Sequence, residues 1–249
     1  MKRLIGAEAL KLRTTRTFFA VTLGSLALAL VVTTAISFAG DFEPSQAAGR
    51  QPLAAAGIVQ VFALILGILA VTTEFRHGTI TPTLLVTPDR RRLMGAKLVA
   101  HVLAGLVLGL ISFGVGSAIA LTALSLRDIP SELTTGDVAA IVAGGTAGAA
   151  LFAAIGLGIG AVLRNQVGAI VAALAWLYAL EPLLGVVPGI GDAVQTYGFA
   201  ELSSGLADTV AADPDADLLA QLPAAALLAA YAAVLIVAGT ALLRRRDIA

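Results

Sequence analysis

LAAAGIVQVFALILGILAVTTEFRHGTITPTLLVTPDRRRLMGAK, residues 53–97, joins two stretches of opposite character. From 53 to 73 there is no charged side chain, and a run of that length matches the ~20 helical residues needed to cross a hydrocarbon core. The next 24 residues gather Glu74, Arg76, Asp89, Arg90, Arg91, Arg92 and Lys97, after which the apolar sequence resumes. Leaving those charges in lipid would cost on the order of 3 kcal/mol each, so the segment reads as a loop between two membrane spans.

Working outward, the same alternation recurs along the chain. Apolar stretches at 17–39, 53–73, 97–124, 138–163, 167–188 and 222–243 predict six transmembrane helices in an all-α integral membrane protein. The composition agrees, with 58% hydrophobic and only 13% charged residues. The charges are sorted. Lys2, Arg3, Lys11, Arg13, Arg16, Arg76, Arg90, Arg91, Arg92, Lys97, Arg164, Arg244, Arg245 and Arg246 share their blocks with only four acids, giving +10. Arg50 and Arg127 share the remaining loops with twelve acids, giving −10. Six spans put both termini on the basic side, and the positive-inside rule assigns that side to the cytoplasm. The 23-residue run at 17–39 is too long for a signal-peptide core and reads as a full span.

Two spans have weak edges. Only Arg164-Asn165-Gln166 separates spans four and five, which predicts a tight cytoplasmic turn. Glu181-Pro182 and Val187-Pro188-Gly189 interrupt span five, whose outer part is expected to be kinked, short or re-entrant. Glycines four apart, at 105 and 109, 144 and 148, and 156 and 160, allow close helix approach, and are read as tight packing within one subunit ahead of a sliding or dimerising face. No 20–50-residue repeat is visible.

Catalytic chemistry has few candidates. The chain has no cysteine, and His77 and His101 lack partners at metal-ligand spacing, so no metal site and no catalytic residue are expected. Glu181 is the one acid embedded near an apolar span, a candidate for a pathway or outer gate, against the plainer reading of a carboxylate that reaches water or caps a helix. No G-x-x-x-x-G-K-[ST] loop is present, so ATP hydrolysis by the P-loop route needs another chain. A calcium site at Asp213-Pro214-Asp215-Ala216-Asp217 lacks the glycine and glutamate of an EF-hand. That segment reads as a turn, within an acidic extracellular stretch at 189–221 that carries short helices around 196–211.

The loop at 74–97 is more than a linker. Gly78 permits a sharp exit from span two, Thr79 can cap the segment after it, and Leu84, Leu85 and Val86 are apolar residues rimmed by charge, as on a docking surface. The plainer alternative is a solvated basic loop. The run E-F-R-H-G-T, then L-L, P-x-R-R-R and G-A-K, resembles the membrane subunits of ABC exporters of the type-2 permease class, especially small bacterial six-span permeases. Glu8-Ala9-Leu10-Lys11-Leu12-Arg13-Thr14-Thr15-Arg16 is similar to the E-x-x-K-L-R-T-x-R pattern of actinobacterial members. These motifs cover about forty residues, and the order of six spans extends the likeness over the chain.

The resemblance implies a single transmembrane domain, 1–249, in a bacterial inner membrane. Within it, 1–16 form an interfacial elbow helix and 74–92 a coupling loop that docks on a separate P-loop ATPase. Carried over by position, Glu74, Arg76, Gly78, Thr79, Leu84, Leu85, Arg90 and Arg91 would couple to the ATPase, while Glu8, Lys11, Arg13, Arg16 and Lys97 would anchor the interface. It further implies a second membrane subunit, identical or not, contact with lipid, and ATP and magnesium held by the ATPase alone; no nucleic acid is expected. The alternative is a membrane scaffold or immunity protein that recruits a cytosolic partner without transport.

Independently of the family, Met1, Leu4, Ile5 and Leu12 share one helical face of residues 1–16, opposite Lys2, Arg3 and Arg13, as in a helix lying flat on a leaflet. Glu8 falls on the apolar face, and needs a basic partner there: Lys11 at i+3 or the coupling loop. The spans hold few polar points, such as Gln60, Thr72, Ser112 and Thr146, which favours an amphipathic or lipid-like cargo over an ion.

Overall fold

The computed structural model describes residues 1–42, 46–209 and 218–245. The acidic turn expected at 213–217, Glu43 and Arg246 lie outside them. Among the described residues the chain is helical: α1 Lys2–Thr14, α2 Arg16–Ala39, α3 Gln46–Ala54, α4 Ile58–Arg76, α5 Ile80–Val86, α6 Arg90–Leu126, α7 Thr135–Leu163, α8 Gln166–Ala175, α9 Glu181–Gly185, α10 Gly191–Tyr197, α11 Phe199–Leu206 and α12 Gln221–Arg245. A short 3₁₀ turn, Ala55–Gly57, joins α3 to α4, and a π turn, Trp176–Leu180, joins α8 to α9. Six helical segments are long and apolar enough to cross a membrane: Arg16–Ala39, Gly49–Arg76, Arg90–Leu126, Thr135–Leu163, Gln166–Gly185 and Gln221–Leu243.

Span three starts seven residues before the expected 97. Asp89 caps α6, its carboxylate accepting from the Arg91 and Arg92 amides at 3.0 and 3.2 Å. A hydropathy reading counts the three arginines as loop, whereas the cap makes them the first turn of the helix. At the opposite end of the bundle, Thr134 and Asp137 form a reciprocal capping box that starts α7.

α7 is the central helix, packed on α4, α6 and α12. Its small residues permit this, because the contacts are backbone to backbone. A Cβ on Gly156 would overlap the Leu64 carbonyl oxygen, and one on Gly67 would overlap that of Ala153, so α4 and α7 interlock reciprocally. Gly105 and Gly109 meet Ala149 and Thr146 in the same manner, and Gly144 meets Leu206. The spaced glycines therefore serve packing within one chain, where lipid supplies no hydrophobic drive and dispersion must. Leu23 and Val31 on α2, Val107 and Leu110 on α6, and Val234 and Val237 on α12 point outward and form an apolar belt.

Both arginines outside the basic blocks fasten the acidic end. Arg127 donates to the Ser37 and Gly40 carbonyls at 2.7 and 2.8 Å, meeting the negative end of the α2 dipole. Arg50 pairs with Asp208 at 2.5 Å and holds the end of α11 to α3. Span five keeps its helical course through the π turn, and the short helices expected around 196–211 fall slightly earlier, as α10 and α11.

Candidate functional site

α4 ends in a Schellman motif. Gly78, with φ of 67°, turns the chain, while the Gly78 and Thr79 amides donate back to the Phe75 and Glu74 carbonyls at 3.3 and 2.9 Å. The Thr79 side chain makes no cap bond; its carbonyl instead accepts from the Thr83 hydroxyl at 2.8 Å. α5 then folds back with Ile80 buried and Leu84 half-buried, leaving Leu85 and Val86 78% and 85% exposed. Arg91 and Arg92 stand exposed beside it, with Arg90 half-exposed. Three arginines on the first turn of α6 oppose its dipole, and Asp89, paired with Arg92 at 3.1 Å, offsets only part of that.

A buried ion cluster joins three helices. Lys97, 1% exposed, donates to Glu8 of α1 at 3.0 Å, to Glu74 of α4 at 2.7 Å and to the Ala70 carbonyl at 3.1 Å, which uses all three of its N–H groups. Lys11 bridges the same two carboxylates at 2.7 and 2.8 Å. Two acids and two ammoniums thus cancel, and this is how a charge on the greasy face of α1 is tolerated. Burial opposes ionisation of Glu8, but Lys97 and Lys11 outweigh it, and its pKa is lowered. Desolvation likewise opposes the charge on Lys11, yet Glu74 and Glu8 raise its pKa. A cavity of ≈ 250 Å³ adjoins the cluster, reaching Thr73, His101 and Gln166.

The structure gathers Glu8, Lys11, Glu74 and Lys97 into one unit, and leaves Gly78 and Thr79 in the turn after α4, Leu84 and Leu85 on α5, and Arg90 and Arg91 in the first turn of α6. Lys97, expected at the lipid interface, is buried instead, and Glu74, expected in the turn, points inward. Arg13 and Arg16 remain exposed along α1 and at the start of α2. Arg76 donates to Gln166 at 3.3 Å and ties the end of α4 to the start of α8. That turn is held by Arg164, which adopts φ of 56°, donates to the Leu242 carbonyl at 2.7 Å and lies over the Phe75 ring. Sequence reasoning placed Gln166 in the turn without a partner and passed over the Ala70 carbonyl; neither carries a charge or motif that could single it out. Glu181, far from the cluster, is 5% exposed and accepts from the Ala200 amide at 2.8 Å in the first turn of α11, a helix cap.

A family model described as ABC-2 family transporter protein matches residues 4–180. The chain belongs to the ABC-2 family of transporter proteins. It is a multi-pass membrane permease subunit of an ABC transporter. The matched stretch takes in α1, α4, α5 and α6, and therefore the whole ion cluster and its loop. No curated protein matches the chain.

Proposed function

We propose that this permease subunit works as one half of a membrane dimer in an ATP-driven exporter, and that α5 with the start of α6 docks on a separate P-loop ATPase at the cytoplasmic face of a bacterial inner membrane. One observation carries this reading: α5, which links the helices that carry Glu74 and Lys97, presents Leu85 and Val86 to solvent a few residues before the exposed Arg91 and Arg92. Apolar side chains so exposed at the charged end of a membrane bundle suit a protein partner. Glu74 and Lys97 sit on spans two and three and Glu8 on α1, so displacement of α5 by an ATPase closing on ATP would move all three helices together. The shift between inward-open and closed or outward-open states follows from the different docking of the ATPase in its two nucleotide states. ATP and magnesium are bound by that partner, and this chain supplies no catalytic group. Arg13 and Arg16 lie on lipid headgroups beside α1.

The test is ATP hydrolysis in reconstituted vesicles that contain the chain and the ATPase encoded beside it. Gly78→Pro, which cannot adopt φ of 67°, and Arg76→Glu abolish stimulated hydrolysis while both variants still insert. Unchanged hydrolysis removes the loop from the mechanism. Failure of any P-loop ATPase to co-purify would favour the scaffold reading.

A further inference from the structure

The cavity of ≈ 250 Å³ beside the ion cluster is formed by α1 and by spans one, two, three and five, and its lining is graded. Lys11, Arg76 and Gln166 stand at its charged end. Phe18, Leu66 and Leu69 wall it further in, Leu66 lying about 15 Å back along α4 from Arg76 at 1.5 Å per residue. Glu8 and Glu74 touch the cavity too, but both Glu8 oxygens and the Glu74 Oε1 are held by the lysines, and the Glu74 Oε2 is sealed. Lys11 gives two of its three N–H groups to those carboxylates and keeps one. The Gln166 Oε1 accepts from Arg76, which leaves its amide nitrogen to donate. These groups offer the cavity donors and positive charge.

His101, at the inner end, offers the opposite. It is 4% exposed, and its Nδ1 lies 2.8 Å from the Lys97 carbonyl oxygen. A carbonyl can only accept, so Nδ1 carries the proton, and in the neutral ring Nε2 is a lone-pair acceptor. Nε2 has no partner among the described residues, yet it is not sealed as the Glu74 Oε2 is. The open space that it meets is the cavity that His101 lines. A buried acceptor left open in this way calls for a donor. Size narrows the choice further: a cavity of about 150 Å³ takes a benzene ring, so ≈ 250 Å³ takes a ring with a short side chain, on the order of ten non-hydrogen atoms, and no two-chain lipid.

We infer that this cavity binds a small amphipathic organic anion that carries a hydrogen-bond donor at the end remote from its charge. The acid group meets Lys11, Arg76 and Gln166, the apolar body lies against Phe18, Leu66 and Leu69, and the donor bonds to the His101 Nε2. Hydroxyphenyl acids present their groups in this order. The site is formed within one chain and needs no ATPase, so it stands apart from the export reading.

The purified chain in detergent, without any ATPase, is titrated by calorimetry against a micelle blank with three compounds: 4-hydroxyphenylacetate, 4-methoxyphenylacetate, which cannot donate, and methyl 4-hydroxyphenylacetate, which carries no charge. The hydroxy acid is expected to bind, the ether about fivefold less tightly for one lost hydrogen bond, and the ester at least about tenfold less tightly for the lost charged contact. His101→Phe brings acid and ether to within about twofold of each other and leaves the ester penalty in place. Arg76→Gln, at an exposed position, weakens acid and ether alike and keeps their ratio. Thr73→Phe, on the cavity wall, blocks all three. No binding of the hydroxy acid above the blank, equal affinity for the three compounds, or an acid-to-ether ratio that His101→Phe leaves unchanged overturns the site. The series on the native chain and on Arg76→Gln decides the matter even where His101→Phe gives no monodisperse protein.

Discussion

Replacing Lys97 by methionine keeps the unbranched stem, one atom shorter, and removes the charge that joins α1, α4 and α6. The side chain is 1% exposed and within 3.0 Å of both carboxylates, so solvent screening reduces its contribution little. Breaking a buried pair from one side costs 3–5 kcal/mol. Lys11, whose side chain is 48% exposed, still bridges Glu8 and Glu74, which puts the expected loss near the lower end, about 3 kcal/mol. For a chain of this size that corresponds to a fall in melting midpoint of roughly 6–12 °C, measured on the detergent-solubilised protein. Neutralising Glu8, Glu74 and Lys97 together, with Glu8→Gln and Glu74→Gln added to Lys97→Met, recovers most of the loss, because the one charge left in the cluster, on Lys11, has a side chain 48% exposed that reaches water. The pH response also weakens. In the native protein the lowered pKa of Glu8 contributes stability above its ordinary 4.5, lost as pH falls through the folded value. Without Lys97 the strongest of the attractions that lower the Glu8 pKa is lost and only Lys11 remains, so this acid-sensitive contribution shrinks. A midpoint within about 2 °C of native, or a triple variant no better than the single one, refutes the cluster as the link between the three helices.

Gly156→Val places a side chain on the Leu64 backbone and should cost about 3 kcal/mol by overpacking, seen as loss of a monodisperse peak on size exclusion, while Gly114→Val, which meets nothing nearby, leaves the peak unchanged. Since the chain has no cysteine, single cysteines report topology directly: one at Thr81 should react with an impermeant maleimide only from the cytoplasmic side, and one at Asp192 only from outside. Lys11 has a raised pKa, so its contribution is complete below its ordinary 10.5 and lost as pH rises through the folded value; Lys11→Met should flatten the alkaline limb of the pH–stability curve.

Much of this architecture was legible in residue order. Lipid requires every spanning segment to bond its own backbone, so length and hydropathy were enough to locate six spans, and charge bias to sort the loops. Boundaries were less legible, because Asp89 caps α6 through local hydrogen bonds that hydropathy ignores and carries the helix out to Arg90. Glu8 stood out as a misplaced charge on an apolar face, and Lys11 lay within its reach at i+3. Its main partner, Lys97, is 89 residues away, and no local rule connects them. The spaced glycines showed close packing without naming the partner; the Leu64 and Ala153 carbonyls name it.

By itself, then, the sequence determined that six segments are long and apolar enough to cross a membrane, that basic and acidic blocks alternate between them, and that no phosphate loop of an ATPase is present. These are properties of composition along one dimension, set by the free energy of moving each segment from water to hydrocarbon. Only the tertiary structure decided that Lys97 is buried between Glu8 and Glu74, that Leu85 and Val86 are left uncovered, and that Gln60 is buried with its amide nitrogen against Gly148. Those facts depend on which helices are neighbours, and neighbours are chosen by backbone fit between small residues and by long-range charge pairing, neither of which is written in any single segment.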